Sequence, residues 1–101
     1  MNLNYFQEES KKTAKYPQQG NNIYYPALGL GGESGEVLNI ITKIMKNNNV
    51  IDDATKDKLI DELGDVMWYI ATLCTELEIT LDEVAFYNIE KLKARQSSEK
   101  K

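Results

Sequence analysis

Two long stretches of this chain place apolar residues at helical spacing, and each sets a pair of acids on its apolar side. No other feature constrains the fold as much. Between residues 26 and 46 the apolar marks are Leu30, Val37, Ile40, Ile41 and Ile44. Between 54 and 78 they are Leu59, Leu63, Val66, Ile70, Leu73 and Leu77. Recurrence at three and four residues defines one face of an α-helix. At about 100° per residue, Glu33 lies within about 40° of Val37, Ile40 and Ile44, and Glu62 within about 40° of Val66 and Leu73. Glu36 and Asp65 follow these acids by three residues, the spacing that puts two side chains on one helix face.

The remaining segments support an all-α chain. Leu3, Phe6 and Ala14 mark a first helix over 2–15. Pro17, Gly20 and Pro26 break the chain after it, and Pro26 suits the first turn of the next helix. Asn47, Asn48 and Asn49 end the helix at 46, and Asp52 or Asp53 caps the one over 54–78. Thr80 followed by Glu83 forms a capping box that opens a fourth helix over 81–95, leaving 96–101 as a flexible tail. No stretch reads as a strand. Residues 1–95 are thus expected to form one bundle-like domain of four antiparallel helices. A 101-residue chain has a marginal core, so oligomerisation is expected to add burial.

Composition removes several kinds of chemistry. There is no histidine, which excludes a Ser-His-Asp triad, His-ligated zinc and an imidazole base. The single cysteine cannot form an internal disulfide and fits a reducing compartment. A net charge of −4 argues against a nucleic-acid partner, which calls for a basic face. No apolar run is long enough for a membrane span, and residues 1–12 lack a signal core. A cytoplasmic location is expected.

Four carboxylates facing one another repel, and an unpaired buried charge is costly. Either the acids protonate or a cation sits among them. An all-oxygen carboxylate set suits a hard cation, Mg²⁺ or Mn²⁺. The alternative is that the acids face solvent or pair with lysines. A further polar intrusion is Asn88, which falls between Leu81, Ala85 and Leu92 on the fourth helix, with Lys91 and Arg95 on the shoulder of that stripe. Lys and Arg one turn apart can grip phosphate oxygens. They also suit a solvated helix C-terminus, and Asn88 suits a structural hydrogen bond.

The stretch from Leu28 to Glu36 holds four glycines but is not a phosphate loop. Ser34 stands where G-x-G-x-x-G requires glycine, and no strand precedes it. Inside a helix each glycine costs about 1 kcal/mol relative to alanine. The expected return is close approach of a neighbouring helix or ligand at 29, 31, 32 and 35.

Taken together, Tyr25 to Val37 and Asp61 to Arg95 resemble the MazG-like nucleotide pyrophosphohydrolases, in particular the small single-domain kind also found in phages. Their signature is E-x-x-E, a spacer, then E-x-x-D. Here it is Glu33 to Glu36, 25 intervening residues (37–61), then Glu62 to Asp65. The likeness spans about residues 14–95. It implies the all-alpha NTP pyrophosphatase fold, working as a homo-oligomer, a dimer or a tetramer. It implies Mg²⁺ on Glu33, Glu36, Glu62 and Asp65, and phosphates held by Asn88, Lys91 and Arg95. The implied reaction takes a nucleoside triphosphate to the monophosphate and pyrophosphate, by water attack between the α- and β-phosphates.

Tyr69, one turn after Asp65, is on the acids' side and can line the substrate pocket. Lys43, two turns after Glu36, can reach phosphate. Tyr16, Tyr24 and Tyr25 can stack on a base or pack in an interface. Trp68, Met67 and Cys74 form a second apolar face on the third helix, expected at a subunit interface. Two rival readings stand beside this one. A related all-α enzyme acts on dUTP or phosphoribosyl-ATP, and a catalytically silent helical module uses its acids only to bind a cation or a basic partner.

Overall fold

The computed structural model describes residues 1–99 as four α-helices, with no strand among them. Helix α1 spans Leu3–Thr13, α2 Tyr24–Lys46, α3 Asp53–Glu76 and α4 Leu81–Glu99. Each start has a local cause. The Asn2 side chain accepts a hydrogen bond from the Tyr5 N–H at 2.8 Å, and Asp52 accepts one from Thr55 N–H at 2.8 Å. Asn22 Oδ1 accepts from the N–H groups of Tyr24 and Tyr25, so α2 begins two residues before Pro26. Thr80 Oγ1 accepts from Glu83 N–H at 3.0 Å while Glu83 Oε1 accepts from Thr80 N–H at 2.6 Å, a reciprocal capping box.

The ends are equally local. Asn48 and Asn49 take left-handed backbone (φ 56 and 62), which asparagine tolerates, and they stop α2. Glu78 at φ 59 stops α3 at Glu76 rather than at 78. Nothing in 81–99 breaks α4, since the stretch holds neither proline nor glycine. The helix therefore runs past Arg95 to Glu99, through four residues expected to be a loose tail. The last two residues of that tail, 100–101, lie outside the described residues.

Helices α2 and α3 form a long paired hairpin, and α3 is the axis of the molecule because α1 and α4 also pack on it. Among the described residues α2 and α4 do not meet. The arrangement is open. Its Cα radius of gyration is 16.6 Å, against about 13 Å for a compact domain of this length. The buried residues are small or few: Ala14, Pro26, Ile44, Ala71 and Cys74, with Gln7, Ser10 and Thr72 among them. Burial pushes the Cys74 thiol up. No helix of the described residues is long and apolar enough to cross a membrane.

Polar contacts take over where the core is thin. Gln7 is buried and donates to Thr75 Oγ1 (3.1 Å) and to the Ile79 carbonyl (3.0 Å), while its own oxygen accepts from Leu81 N–H (2.8 Å). One side chain thus ties α1 to the end of α3 and the start of α4. Trp68 Nε1 donates to Thr13 Oγ1 at 2.7 Å. The second face of α3 is therefore partly covered by α1 of the same chain, not left whole for a subunit interface; Met67 on that side stays exposed.

Candidate metal centre

The α2–α3 hairpin brings Glu33 across from Glu62 and Asp65. Each offers one carboxylate oxygen, and these oxygens all lie within 4.8 Å of one another. Glu33 and Glu62 are half-buried and Asp65 is exposed. Glu36 is exposed one turn along α2 and is not part of the triad. Among the described residues no lysine or arginine forms an ion pair with the three acids; the ion pairs present are Lys11–Glu8, Lys12–Glu9 and Lys93–Glu90.

The crowding shows in their protonation. A hydrogen bond with the Glu33 carboxyl, then burial, then the charges of Glu33, Asp65 and Asp61 raise Glu62 from 4.5 to about 7. Burial and the charges of Glu33 and Asp61 also push Asp65 up. Two carboxyls can share a hydrogen bond only if one keeps its proton. Three uncompensated carboxylates from two rigid helices form a donor set that fits a hard divalent cation, which would displace that proton.

Tyr69 borders the triad. Its ring lies over Gly29 so closely that a β-carbon there would fall on the ring. Burial, the neighbouring Tyr25 hydroxyl, and the charges of Glu33 and Asp65 all push its phenol up. Of the helical glycines only Gly29 serves a close approach; Gly31, Gly32 and Gly35 face open space within this chain. An aromatic run continues away from the acids. Tyr25 is 6.2 Å from Tyr69, centroid to centroid, and Tyr16 stacks on Tyr25 at 4.4 Å with the rings 5° apart. Tyr24 is left exposed.

The other candidates stand apart from the triad. Lys43 lines a cavity of about 180 Å³ near the closed end of the hairpin, together with Asn47, Thr55 and Lys58. Sequence reading passed over Lys58, although it precedes Glu62 by four residues and so shares its side of α3. Asn88 is exposed rather than buried in its stripe, and borders an apolar groove with Leu81, Val84 and Ala85. Lys91 and Arg95 are exposed farther along α4. Helix α4 does not meet α2, and neither Lys91 nor Arg95 forms an ion pair with the triad acids among the described residues.

The chain is thus an all-helical domain with a candidate cation site on a helical hairpin. The comparison with known families is more specific. The sequence pattern of the MazG nucleotide pyrophosphohydrolase domain matches residues 26–98, and the chain belongs to that family. A relative, the Gene 37 protein of Mycobacterium phage L5, is 38% identical over 101 aligned residues, covering 94% of this chain and 89% of its own. No solved structure matches the chain.

Proposed function

We propose that this protein is a Mg²⁺-dependent nucleoside triphosphate pyrophosphohydrolase that releases the monophosphate and pyrophosphate, and that it works as a homo-oligomer. The observation that carries this reading is the triad of Glu33, Glu62 and Asp65, whose carboxylate oxygens lie within 4.8 Å of one another and form no ion pair with a lysine or arginine among the described residues. In a family of nucleotide pyrophosphohydrolases, such a triad is best explained as a cation site.

Glu33, Glu62 and Asp65 would hold Mg²⁺, with Mn²⁺ as a substitute. When bound, the ion supplies charge neutralisation at phosphate oxygens and lowers the pKa of water. The residues of the chain do the rest. Glu36, outside the triad, takes the proton of the attacking water in this reading. Tyr69, seated on Gly29 beside the acids, lines one flank of the site in this reading. Lys43 supplies positive charge toward the closed end of the hairpin.

Asn88, Lys91 and Arg95 grip phosphate in this reading by reaching the acids of a second copy, since α4 does not approach α2 in its own chain. The surface supports association: Phe86 (58% exposed), Ile89 (52%) and Leu92 (50%) project from a helix with no buried residue. Large exposed apolar patches mark interaction sites.

The test is a panel of ribo- and deoxyribonucleoside triphosphates, dUTP and phosphoribosyl-ATP with Mg²⁺, with products separated. Monophosphate plus pyrophosphate in equal amounts is expected. Stepwise orthophosphate, or no turnover of any substrate, overturns the proposal. Turnover of dUTP or phosphoribosyl-ATP alone moves the assignment to those relatives.

A further inference from the structure

Beyond the triad, the molecule holds a second cavity with a built polar wall. It has a volume of about 370 Å³ and lies between α1, the 16–20 loop and α3, with Lys11, Tyr16, Gln19, Gly20, Thr72 and Glu76 on its surface. That falls within the roughly 300–1,000 Å³ of small-ligand sites. It is joined to the acids by the backbone of α3. Relative to Asp65, Glu62, Tyr69, Thr72 and Glu76 fall within a stripe about 80° wide, and Thr72 is about 10 Å along the axis from Asp65. The aromatic run bridges the same interval, from Tyr69 beside the acids through Tyr25 to Tyr16 at the cavity.

Two features distinguish this cavity from a packing gap. The first is a held wall. Glu76 accepts hydrogen bonds from the Tyr16 hydroxyl, from Gly20 N–H (2.7 Å) and from Asn22 N–H (3.1 Å). One carboxylate thus fixes the loop that closes the cavity, and three donors occupy it. The second is an unanswered hydroxyl. Thr72 is 3% exposed, and its Oγ1 is the one buried side-chain oxygen or nitrogen of the described residues without a hydrogen-bond partner. A buried polar group left unpaired costs stability, so an incoming partner is a natural explanation. Gln19 adds an amide, which both donates and accepts.

We propose that this cavity is the base-recognition subsite of the enzyme, with the nucleobase against Tyr16 and its polar edge read by Thr72 and Gln19. The inference rests on the hydrolase reading and names what that reading leaves open, the part of the nucleotide that sets preference. An aromatic face accepts any base. A Thr hydroxyl and a Gln amide discriminate by the pattern of donors and acceptors they meet. Lys11 at the rim is held by Glu8 at 2.8 Å and is not needed for the reading of the base.

The experiment measures binding of AMP, GMP, CMP, UMP and inorganic pyrophosphate by calorimetry with Mg²⁺ present, alongside turnover of the matching triphosphates. Thr72→Val keeps the shape and removes the hydroxyl. Gln19→Ala changes an exposed loop residue that folding does not depend on. Each is expected to weaken the preferred monophosphate about three- to tenfold and to flatten the ranking of the four bases. Pyrophosphate affinity should stay as in the wild type. The melting temperature of Thr72→Val should stay level or rise, because an unpaired hydroxyl is lost. If the wild type releases pyrophosphate from triphosphates but both variants keep its ranking of bases, the subsite is overturned and the hydrolase reading survives. If no triphosphate is turned over while monophosphate binding still loses its base ranking in the variants, the hydrolase reading falls and the base site stands.

Discussion

The α2–α3 hairpin carries six of the residues expected to act on a nucleotide and helix α4 carries three, and the two are built differently. The hairpin is complete within one chain. Two long helices pack along their length, Gly29 admits the Tyr69 ring, and three carboxylates meet. Helix α4 touches only α1 and α3, buries no residue, and presents Asn88, Lys91 and Arg95 to solvent. Charge that must be focused is thus set on a rigid scaffold, where repulsion among acids is sustained by packing. The basic residues of α4, in contrast, sit on an exposed helix that buries no residue. The hairpin assembles its three acids within one chain; under the proposed function α4 would act on a second copy.

The sharpest way to break this contrast uses inactive variants together. Glu62→Ala should lower turnover by at least about 10²-fold, the scale for losing a group that orients a metal or stabilises transition-state charge, with its helical circular dichroism retained. Arg95→Ala should be strongly impaired as well. Mixing equal amounts after dissociation should restore roughly a quarter of wild-type activity. In a two-fold dimer half the particles are mixed, and each mixed particle has one site with both groups intact. Failure to restore any activity, with mixed particles shown to form, would mean that α4 serves its own chain or does not serve the site.

A second test turns on the proton held by Glu62 and acts on stability. In the metal-free protein Glu62 titrates near 7 rather than 4.5. Between these values the native chain binds more protons than the unfolded chain, so stability falls as pH rises through that window. Mg²⁺ binds the deprotonated acids, so its stabilising effect should grow across the same window. Thermal melts at pH 5 and pH 8, with chelator and with Mg²⁺, should show a larger Mg²⁺-induced rise at pH 8. Equal rises would show that the triad is not the cation site. The α4 variants Lys91→Ala and Arg95→Ala should leave this pattern unchanged, which separates the two regions again.

The same division explains what the sequence discloses. The acids of the hairpin are legible because repeated spacing on an apolar stripe is a local signal, and helix period converts it directly to a face. Caps are legible for the same reason: Asn48, Asp52, Thr80 and Glu83 act within a few residues of their own positions. Asn88 misled, since a polar residue in an apolar stripe implies burial only if the stripe is covered, and α4 is not covered in the single chain. Of the proposed base cavity only Tyr16 is legible, as an aromatic able to stack on a base; its partners across the cavity are not. The cavity joins residues 16–20 to 72–76, over fifty positions apart, through the hydrogen bonds that Glu76 accepts. The glycines divide along the same line, because only a tertiary neighbour tells Gly29 from Gly32.

That distinction supplies the finest test, on a single helix. At Gly29 a β-carbon would fall on the Tyr69 ring. Gly29→Val should therefore cost about 1–3 kcal/mol, the usual penalty for overpacking, and should weaken nucleotide binding by shifting the tyrosine beside the acids. At Gly32 nothing lies near the added carbon within the chain. There Gly32→Ala should gain about 0.5–1 kcal/mol from helix propensity alone, read as a small rise in melting temperature. The two substitutions differ by three residues and by sign. If Gly32→Ala also destabilises, the open space beside it is filled in the assembled protein, and a second copy then packs against α2 as well as α4. Urea melts at two protein concentrations decide between these outcomes, because a loss through association shrinks as the protein is diluted to monomer, whereas a loss within the chain does not.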